Sequence, residues 1–445
     1  MKKKLKDEKG ITLVALVVTI VVLLILAGVT ITMLFGENGI IKKAQEAKEA
    51  TERDQQEIEQ GLQDLNDQMD TILNGNSGSG TGDADPTKVA NNIGSVISET
   101  ENTDLTDAYN NKITILAGFH IVSTSEDSTV SYTYSGNGIP AVQDGIVVAD
   151  SDGNQFVWIP VGTINNKADD SNGPTTPITL ARYTFNVGTY DSTTKEYNGD
   201  GSITSTVKDG SELKISSTDT YGYLEELATA STKYSNTKAK DIEGFLRQSN
   251  AKGGYYLARY EASYGRGSVF DELWGEEDLT NAVPLSQPST AYSTSSMSYT
   301  AGTLWNFIRQ QDAAIVARNM YTNDNYKSDL VNSYAWDTAI VFIQTYSGDS
   351  DYSKQKSLNS SLGNTGERND GTTDKVCNIF DMASNTSEWT TETSTYRNST
   401  TARPCGYRGG DYWDYDLVNY AADRNCYDTT VSSDQFSFRV TLYVQ

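Results

Sequence analysis

Cys377-Asn-Ile-Phe-Asp-Met-Ala-Ser-Asn-Thr-Ser-Glu-Trp-Thr390, with Arg408-Gly-Gly410 and Phe438-Arg-Val440 after it, is the part of this 445-residue chain that decides the fold. Trp389 reads as a core residue whose indole nitrogen needs a backbone carbonyl, and Trp158 and Trp336 read the same way. Gly409-Gly410 suits a turn with positive φ or a close backbone approach. Phe438-Arg439 reads as a last core strand carrying one charge that must find a carboxylate. Around these points lie short apolar runs separated by polar turns. Ile113-Thr-Ile-Leu116, Gly145-Ile-Val-Val-Ala149 and Gln155-Phe-Val-Trp-Ile-Pro160 are expected strands. Leu304 to Met320 and Ser333 to Tyr346 are expected helices. Residues 163–220, rich in Thr and Asp, are expected to be loops with one hairpin. The fold class is therefore α+β.

Composition limits the function. The formal charge is −24, from 35 basic and 59 acidic residues, and a surface that acidic repels phosphate backbones, so nucleic acid is not an expected partner. His120 is the single histidine, which excludes a multi-histidine metal site and disfavours a histidine-based triad. Three cysteines, Cys377, Cys405 and Cys426, cannot build a disulfide scaffold and leave at least one thiol without an internal partner.

The N-terminus has a different texture. Residues 11–35 form an uncharged apolar run long enough to cross a bilayer as a helix. Lys2, Lys3, Lys4, Lys6 and Lys9 precede it, which predicts a cytoplasmic leader and a single-pass membrane protein with its C-terminal part outside the cell. Residues 36–73 read as a helical stalk. In it Ile58, Leu62, Leu65, Met69 and Ile72 form a short heptad seam suited to weak self-association. Residues 74–88 read as a Gly/Ser-rich tether, and residues 89–445 as the extracellular globular part.

Two family resemblances attach to these motifs. Lys9-Gly10 followed by Ile11-Thr-Leu-Val-Ala-Leu-Val17 resembles the type IV prepilin leader, which implies cleavage after Gly10. The glutamate usual at the fifth position after the cut is replaced here by Ala15. That favours a plain anchor over a filament subunit and leaves a minor pilin or pseudopilin adhesin as the alternative. The second resemblance, over about residues 145–445, is to the formylglycine-generating enzyme (sulfatase-modifying factor) family, whose domain is a variant of the C-type lectin fold. Its blocks are Phe156-Val-Trp-Ile-Pro-Val-Gly162, Gly254-Tyr-Tyr-Leu-Ala-Arg-Tyr-Glu-Ala-Ser263, Trp336-Asp-Thr-Ala339 and the stretch quoted first. The family's oxidase chemistry needs two reactive cysteines. Tyr420-Ala-Ala422 and Val440 stand at the corresponding places, so no catalytic residue and no redox cofactor is expected. The resemblance also implies a calcium ion held by the side chains of Asp381 and Glu388 and the carbonyls of Ser384 and Thr386, oxygen ligands of the kind calcium prefers.

The segment between Arg408-Gly-Gly410 and Phe438-Arg439 has the Tyr, Trp, Asp and Asn content of a binding surface, since large rings supply contact area and short polar groups adaptable hydrogen bonds. The candidate ligand-binding residues are Asp411, Tyr412, Trp413, Asp414, Tyr415, Asp416, Asn419, Tyr420, Asp423, Asn425, Cys426, Tyr427 and Asp428. Their placement resembles the variable region of diversity-generating retroelement target proteins, in which adenine-specific mutagenesis of asparagine codons gives Tyr, Asp, Ser, Asn and Cys. That resemblance implies an extracellular protein or glycan as the partner.

Overall fold

The strands that read most clearly in the sequence lie at the centre of the molecule. A six-stranded sheet runs in the order Tyr326–Leu330, Val440–Val444, Gly254–Ala258, Gln155–Pro160, Val147–Ala149 and His120–Ile121, every neighbour antiparallel. The computed structural model describes residues 85–445 apart from 208–210, 216–219, 226–237, 267–278, 293–299, 358, 360, 369, 398–401 and 414–418. The leader, the apolar run 11–35, the stalk and the tether up to residue 84 lie outside the described residues. Among the described residues no helix is long and apolar enough to cross a membrane. The chain is mostly strand with three α-helices among the described residues: α1 (Ile242–Lys252), α2 (Gln310–Asn319) and α3 (Ser333–Tyr346).

Side chains alternate across a strand, so the central sheet feeds two cores. Phe156, Trp158, Tyr256, Ala258, Leu442 and Val444 enter one apolar cluster, with Ala313, Val316, Trp389 and Phe438. Val157, Ile159, Tyr255, Leu257 and Tyr443 enter the other, with Ile242, Phe245, Trp336 and Ile340. A sheet covered on both faces needs continuous apolar strands, which accounts for Phe156-Val-Trp-Ile159 having no polar face.

A second sheet has the order Tyr223–Leu224, Ser387–Ser394, Cys405–Arg408 and Arg424–Tyr427. Phe436–Phe438 lies parallel beside Ser387–Ser394. Gly409 leaves the Cys405–Arg408 strand at φ +82°, and a Cβ on Gly410 would fall 2.2 Å from the Ala383 carbonyl oxygen. Both glycines are thus fixed by sterics.

Helix α3 matches its expected bounds. Asn332 caps it by accepting from the Ala335 amide at 2.9 Å, and residues from Ser333 to Ile343 are all buried. The other expected helix is shorter than its sequence suggested. Residues 304–309 are not helical, because Phe307 has φ +51° and the amides of Trp305 and Phe307 donate to Ala262 and Ser433. Tertiary hydrogen bonds take the first turn and α2 begins at Gln310. Among its described residues the 163–220 excursion holds three antiparallel pairs instead of one hairpin: Gly162–Asn165 with Thr175–Ile178, Arg182–Phe185 with Ile203–Val207, and Tyr190–Asp191 with Glu196–Tyr197. Two of the three core tryptophans meet their expected partners, Trp336 donating to Ala421 O at 2.9 Å and Trp389 to Ile308 O at 2.7 Å. Trp158 departs from this reading, for its buried Nε1 has no hydrogen-bond partner. The three cysteines are all free thiols.

Glu225 ties the second sheet to the start of α3. Its Oε2 accepts from the Ser333 amide at 2.9 Å and the Ser333 hydroxyl at 2.7 Å, and its Oε1 accepts from the Thr391 hydroxyl. Burial, helped by the charge of Glu392, pushes its carboxyl up to about 7. The fold therefore holds extra protons relative to the unfolded chain between the ordinary glutamate value and about pH 7. That contribution is complete below the ordinary value and is lost as pH rises through about 7. The thermal midpoint should fall as pH is raised from about 6 to about 8, and Glu225→Gln should flatten that part of the profile. An unchanged slope in the variant, followed by circular dichroism, would contradict the assignment.

Candidate ligand-binding site

The C-terminal segment returns to the same carboxylate at both ends. Asp337, in the first turns of α3, is completely buried and takes Arg408 on Oδ1 and Arg424 on Oδ2, the latter at 2.6 Å. Arg408 ends one strand of the second sheet and Arg424 begins the next, so one side chain clamps residues 409–423 from both sides. The network continues: Arg424 Nε meets Glu392 at 2.7 Å, and Glu392 meets Arg182 at 2.7 Å. Burial pushes the Asp337 carboxyl up, but Arg408 and Arg424 outweigh it and hold it below its ordinary value. The backbone amide of Tyr183 also donates to Asp337, at 2.9 Å.

Within the clamp, Asp411 closes a smaller loop. Its Oδ2 accepts from Ser387 Oγ at 3.0 Å and from Asn419 Nδ2 at 3.1 Å, and its Oδ1 from the Trp413 amide at 3.0 Å. The Tyr412 amide donates to Asn385 O at 3.0 Å. Trp413 then projects from this base with 68% of its surface exposed. Residues 414–418, among them the candidates Asp414, Tyr415 and Asp416, lie outside the described residues.

The remaining candidates divide by burial, which corrects the broad surface expected from composition. Asp411, Tyr412, Asn419 and Cys426 are buried, because a short polar side chain at the base of a loop is consumed in fixing it. Cys426 lies in the second sheet opposite Gly406, away from the tip. Tyr420 is half-buried and meets Tyr197 edge to face at 4.9 Å. Asn425 and Tyr427 are half-buried, Tyr427 stacking on Tyr407 with centroids 6.3 Å apart and standing under Arg403. Asp428 folds back on its own turn, accepting from the Thr430 amide and hydroxyl at 2.9 and 2.6 Å. Asp423 is half-buried and burial pushes its carboxyl up to about 7, while its buried Oδ2 has no hydrogen-bond partner. Trp413 and Tyr420 are what the described part of the loop offers a partner.

The excursion supplies residues that the sequence did not suggest. Tyr183, Thr184, Phe185, Thr204 and Ser205 form a pocket of about 140 Å³ together with Tyr420 and Ala422, over Arg424. A second pocket of about 340 Å³, lined by residues that include Tyr197, Asp351 and Lys354, lies beside it. The signal was present in Arg182-Tyr-Thr-Phe185, a run of strand-forming residues ending in an aromatic pair. Its spatial link to Tyr420 was not.

The side chains of the residues expected at a calcium ion are engaged by other groups of the fold. Both oxygens of Glu388 are taken by Arg439, Nε at 2.7 Å on Oε2 and Nη2 on Oε1. Asp381 Oδ2 accepts from the Gly366 amide at 2.7 Å, and burial together with the charges of Glu261 and Asp374 raises its carboxyl well above the ordinary range. Ser384 spends its hydroxyl on Asp374, and the amide and hydroxyl of Thr386 both donate to Glu261. Burial and the Glu388 charge push Glu261 up to about 8. Glu388 is thus the ion-pair partner of Arg439. Among the described residues no group of His, Cys, Asp and Glu is arranged to hold a metal ion.

No family model matches the chain, and no curated protein does. Among solved structures the chain is similar to "Crystal Structure of CarF", at 13% identity over 42% of this chain and 99% of that one, with a TM-score of 0.25. It is similar to "Structure of PvdO from Pseudomonas aeruginosa" at 11% identity over 67% of this chain and 98% of that one, TM-score 0.28. It is also similar to "Treponema denticola variable protein 1" at 10% identity over 65% and 95%, TM-score 0.22. At these scores and identities the likenesses carry no functional argument.

Removing one partner of a buried pair strands the other charge, so Asp337→Ala should cost about 3–5 kcal/mol of stability. Trp413→Ala should change it by no more than about 0.5 kcal/mol. Urea denaturation of both variants distinguishes a clamp from an incidental contact. Separately, millimolar calcium or a chelator should leave the melting midpoint unmoved, while Arg439→Ala should cost about 3–5 kcal/mol. A calcium-dependent rise in the wild-type midpoint would reinstate the metal.

Proposed function

We propose that the chain is a non-catalytic ligand-binding protein of the bacterial cell surface, built on a C-type lectin-like domain of the formylglycine-generating-enzyme type. In this reading residues 11–35 anchor it as a single membrane span, residues 36–73 and 74–88 are stalk and tether, and the domain faces outward. The tip loop from Trp413 to Tyr420 meets an extracellular macromolecule, and the chain is the target of a diversity-generating retroelement.

The observation that carries the binding role is Trp413, an indole 68% exposed on a loop whose two ends are held by buried polar contacts. A large exposed aromatic costs solubility when it has no partner, and a fixed frame lowers the entropy lost when one binds. The same frame supports diversification, because Asp337 and Glu392 hold the flanking residues Arg408 and Arg424 without using the Trp413 side chain. The non-catalytic reading is supported by Tyr420 and Val440 at the places of the family's cysteines. Burial also raises the Cys405 thiol to about 12 and the Cys426 thiol above its ordinary value, so neither offers a reactive thiolate.

The neighbouring DNA tests this directly. A reverse transcriptase gene should lie nearby, with a second copy of the sequence encoding the end of this chain that differs from it only at adenines, the changed codons concentrated at residues 413–420. Changes falling equally on the codons of Asp337, Arg408 and Arg424 would count against a diversified tip. Recovery of the chain within sheared surface filaments would replace the plain anchor by the minor pilin alternative.

A further inference from the structure

The geometry points to a carboxylate-binding site at Arg403, on the second sheet, for a single acidic side chain of a polypeptide partner. This inference rests on the ligand-binding role proposed above and names a charge that the partner carries.

The strands Ser387–Ser394 and Cys405–Arg408 run on past their paired residues into a hairpin. The Ser394 amide donates to Pro404 O at 2.9 Å, the Arg403 amide to Tyr396 O at 3.2 Å, and Arg397 bridges Ala402. Arg403 therefore lies across from Tyr396, with its guanidinium 5.5 Å from the centre of that ring. Tyr427, on the adjoining strand, presents a second ring at 5.0 Å from the same guanidinium. Tyr221 meets Tyr396 edge to face at 4.8 Å, and Tyr407 and Phe436 back Tyr427 at 6.3 and 5.7 Å. Tyr221, Tyr396, Arg403 and Tyr427 are all half-buried. A planar cation packed on ring faces is attracted to them and keeps one orientation, so it loses little freedom when it binds.

The buried arginines Arg182, Arg259, Arg408, Arg424 and Arg439 each pair with a carboxylate. Arg403 does not. Its Nε is enclosed without a hydrogen-bond partner, and among the described residues its side chain forms no ion pair. Two carboxylates lie close along the chain, and both are engaged elsewhere. Glu212 accepts from the Thr395 hydroxyl at 2.8 Å and faces Lys214 at 3.8 Å, and Asp428 accepts from the Thr430 amide and hydroxyl. A cation held partly out of water without a counter-charge carries a cost that a bound carboxylate removes.

The terminal amino groups of a guanidinium offer parallel N–H donors at the spacing of a carboxylate's two oxygens. One unpaired cation balances one negative charge. A polyphosphate or other polyanion would meet Glu212, Asp428 and the field of a chain of net charge −24. The rings of Tyr221, Tyr396 and Tyr427 provide apolar contact beside the charge. The group that fits is therefore one aspartate or glutamate side chain of a polypeptide, flanked by apolar or aromatic residues.

The test is a titration of the full-length chain in detergent, carrying isotope-labelled arginine, with the guanidinium Nε–H resonances followed by NMR and assigned through Arg403→Lys. The probe is a short end-blocked peptide with one glutamate between two phenylalanines. The same peptide with glutamine in its place, and inorganic phosphate, are the comparisons. The Arg403 resonance should shift saturably with the glutamate peptide, and the glutamine peptide should bind at least about tenfold more weakly. Affinities of the variants are read from the fluorescence anisotropy of the dye-labelled glutamate peptide, with melting curves to confirm folding. Arg403→Lys keeps the charge, loses the fork and should weaken binding severalfold, as should Tyr427→Leu. Arg397→Gln, which removes an exposed arginine of the same hairpin, should leave it unchanged. Equal binding of the two peptides overturns the proposal, as does a loss in Arg397→Gln as large as in Arg403→Lys. Phosphate binding more tightly than the glutamate peptide makes this a phosphate site and also overturns it. Silence at Arg403 removes this site alone, whereas failure of the diversified tip would show in the neighbouring DNA.

Discussion

Asp337 is the constraint on which the functional end of this molecule depends. Its two oxygens take guanidinium groups from either side of the loop 409–423, so the strand before the loop and the strand after it are referred to one point on α3. Such a pair is not an efficient source of net stability, because removing two charges from water costs about as much as their attraction returns. What it provides is registration. An apolar contact tolerates sliding, whereas a carboxylate with two bidentate-capable partners fixes position, and stranding either partner is costly. Glu392 extends the network to Arg182, which brings the 182–207 excursion into the same frame.

The consequence is a division of labour inside the C-terminal segment. Buried residues of the segment, Asp411, Tyr412 and Asn419, spend their hydrogen-bonding capacity on one another and on the Ser384–Ser387 turn. Trp413 spends only its amide, and its ring remains outside. A loop built in this way can change the side chain at Trp413 with little effect on its base, since the base is made by the buried groups of Asp411, Asn419 and Ser387. The pocket beside Tyr420 obeys the opposite logic, with its walls formed by paired strands and its floor by an arginine locked in the ion network.

A second buried charge system shows how a motif can keep its residues and change their job. Arg439 lies among Glu388, Glu261 and Asp381, and it pairs with Glu388 through two hydrogen bonds. Burial and mutual repulsion raise the carboxyls of Glu261 and Asp381 above the ordinary range. The residues that resembled a calcium loop thus join the last strand to the Asp381–Glu388 turn, at the junction of the two sheets.

Local pattern in the sequence was sufficient for the central strands, for α3, for the glycine turn at Gly409-Gly410, and for the need of Arg439 to find a carboxylate. Each of these is dictated by apolar periodicity, by φ or by the cost of an unpaired buried charge, and none depends on a distant partner. Helix α1 could also have been found, since Asp241 caps its start and Gly253 ends it in the left-handed region. The start of α2 could not, because amides near Phe307 are claimed by residues remote in sequence. Composition marked residues 411–428 as a binding surface but could not say which side chains face solvent, for an Asp that caps a loop and an Asp that meets a ligand are the same residue until their neighbours are known. Only the tertiary structure decided that Glu388 belongs to Arg439, that Asp337 clamps the loop, and that Phe185 and Tyr420 share a pocket. Each of those facts is a contact between segments tens to hundreds of residues apart, and contact at that range is set by how sheets and helices pack, which no local pattern encodes.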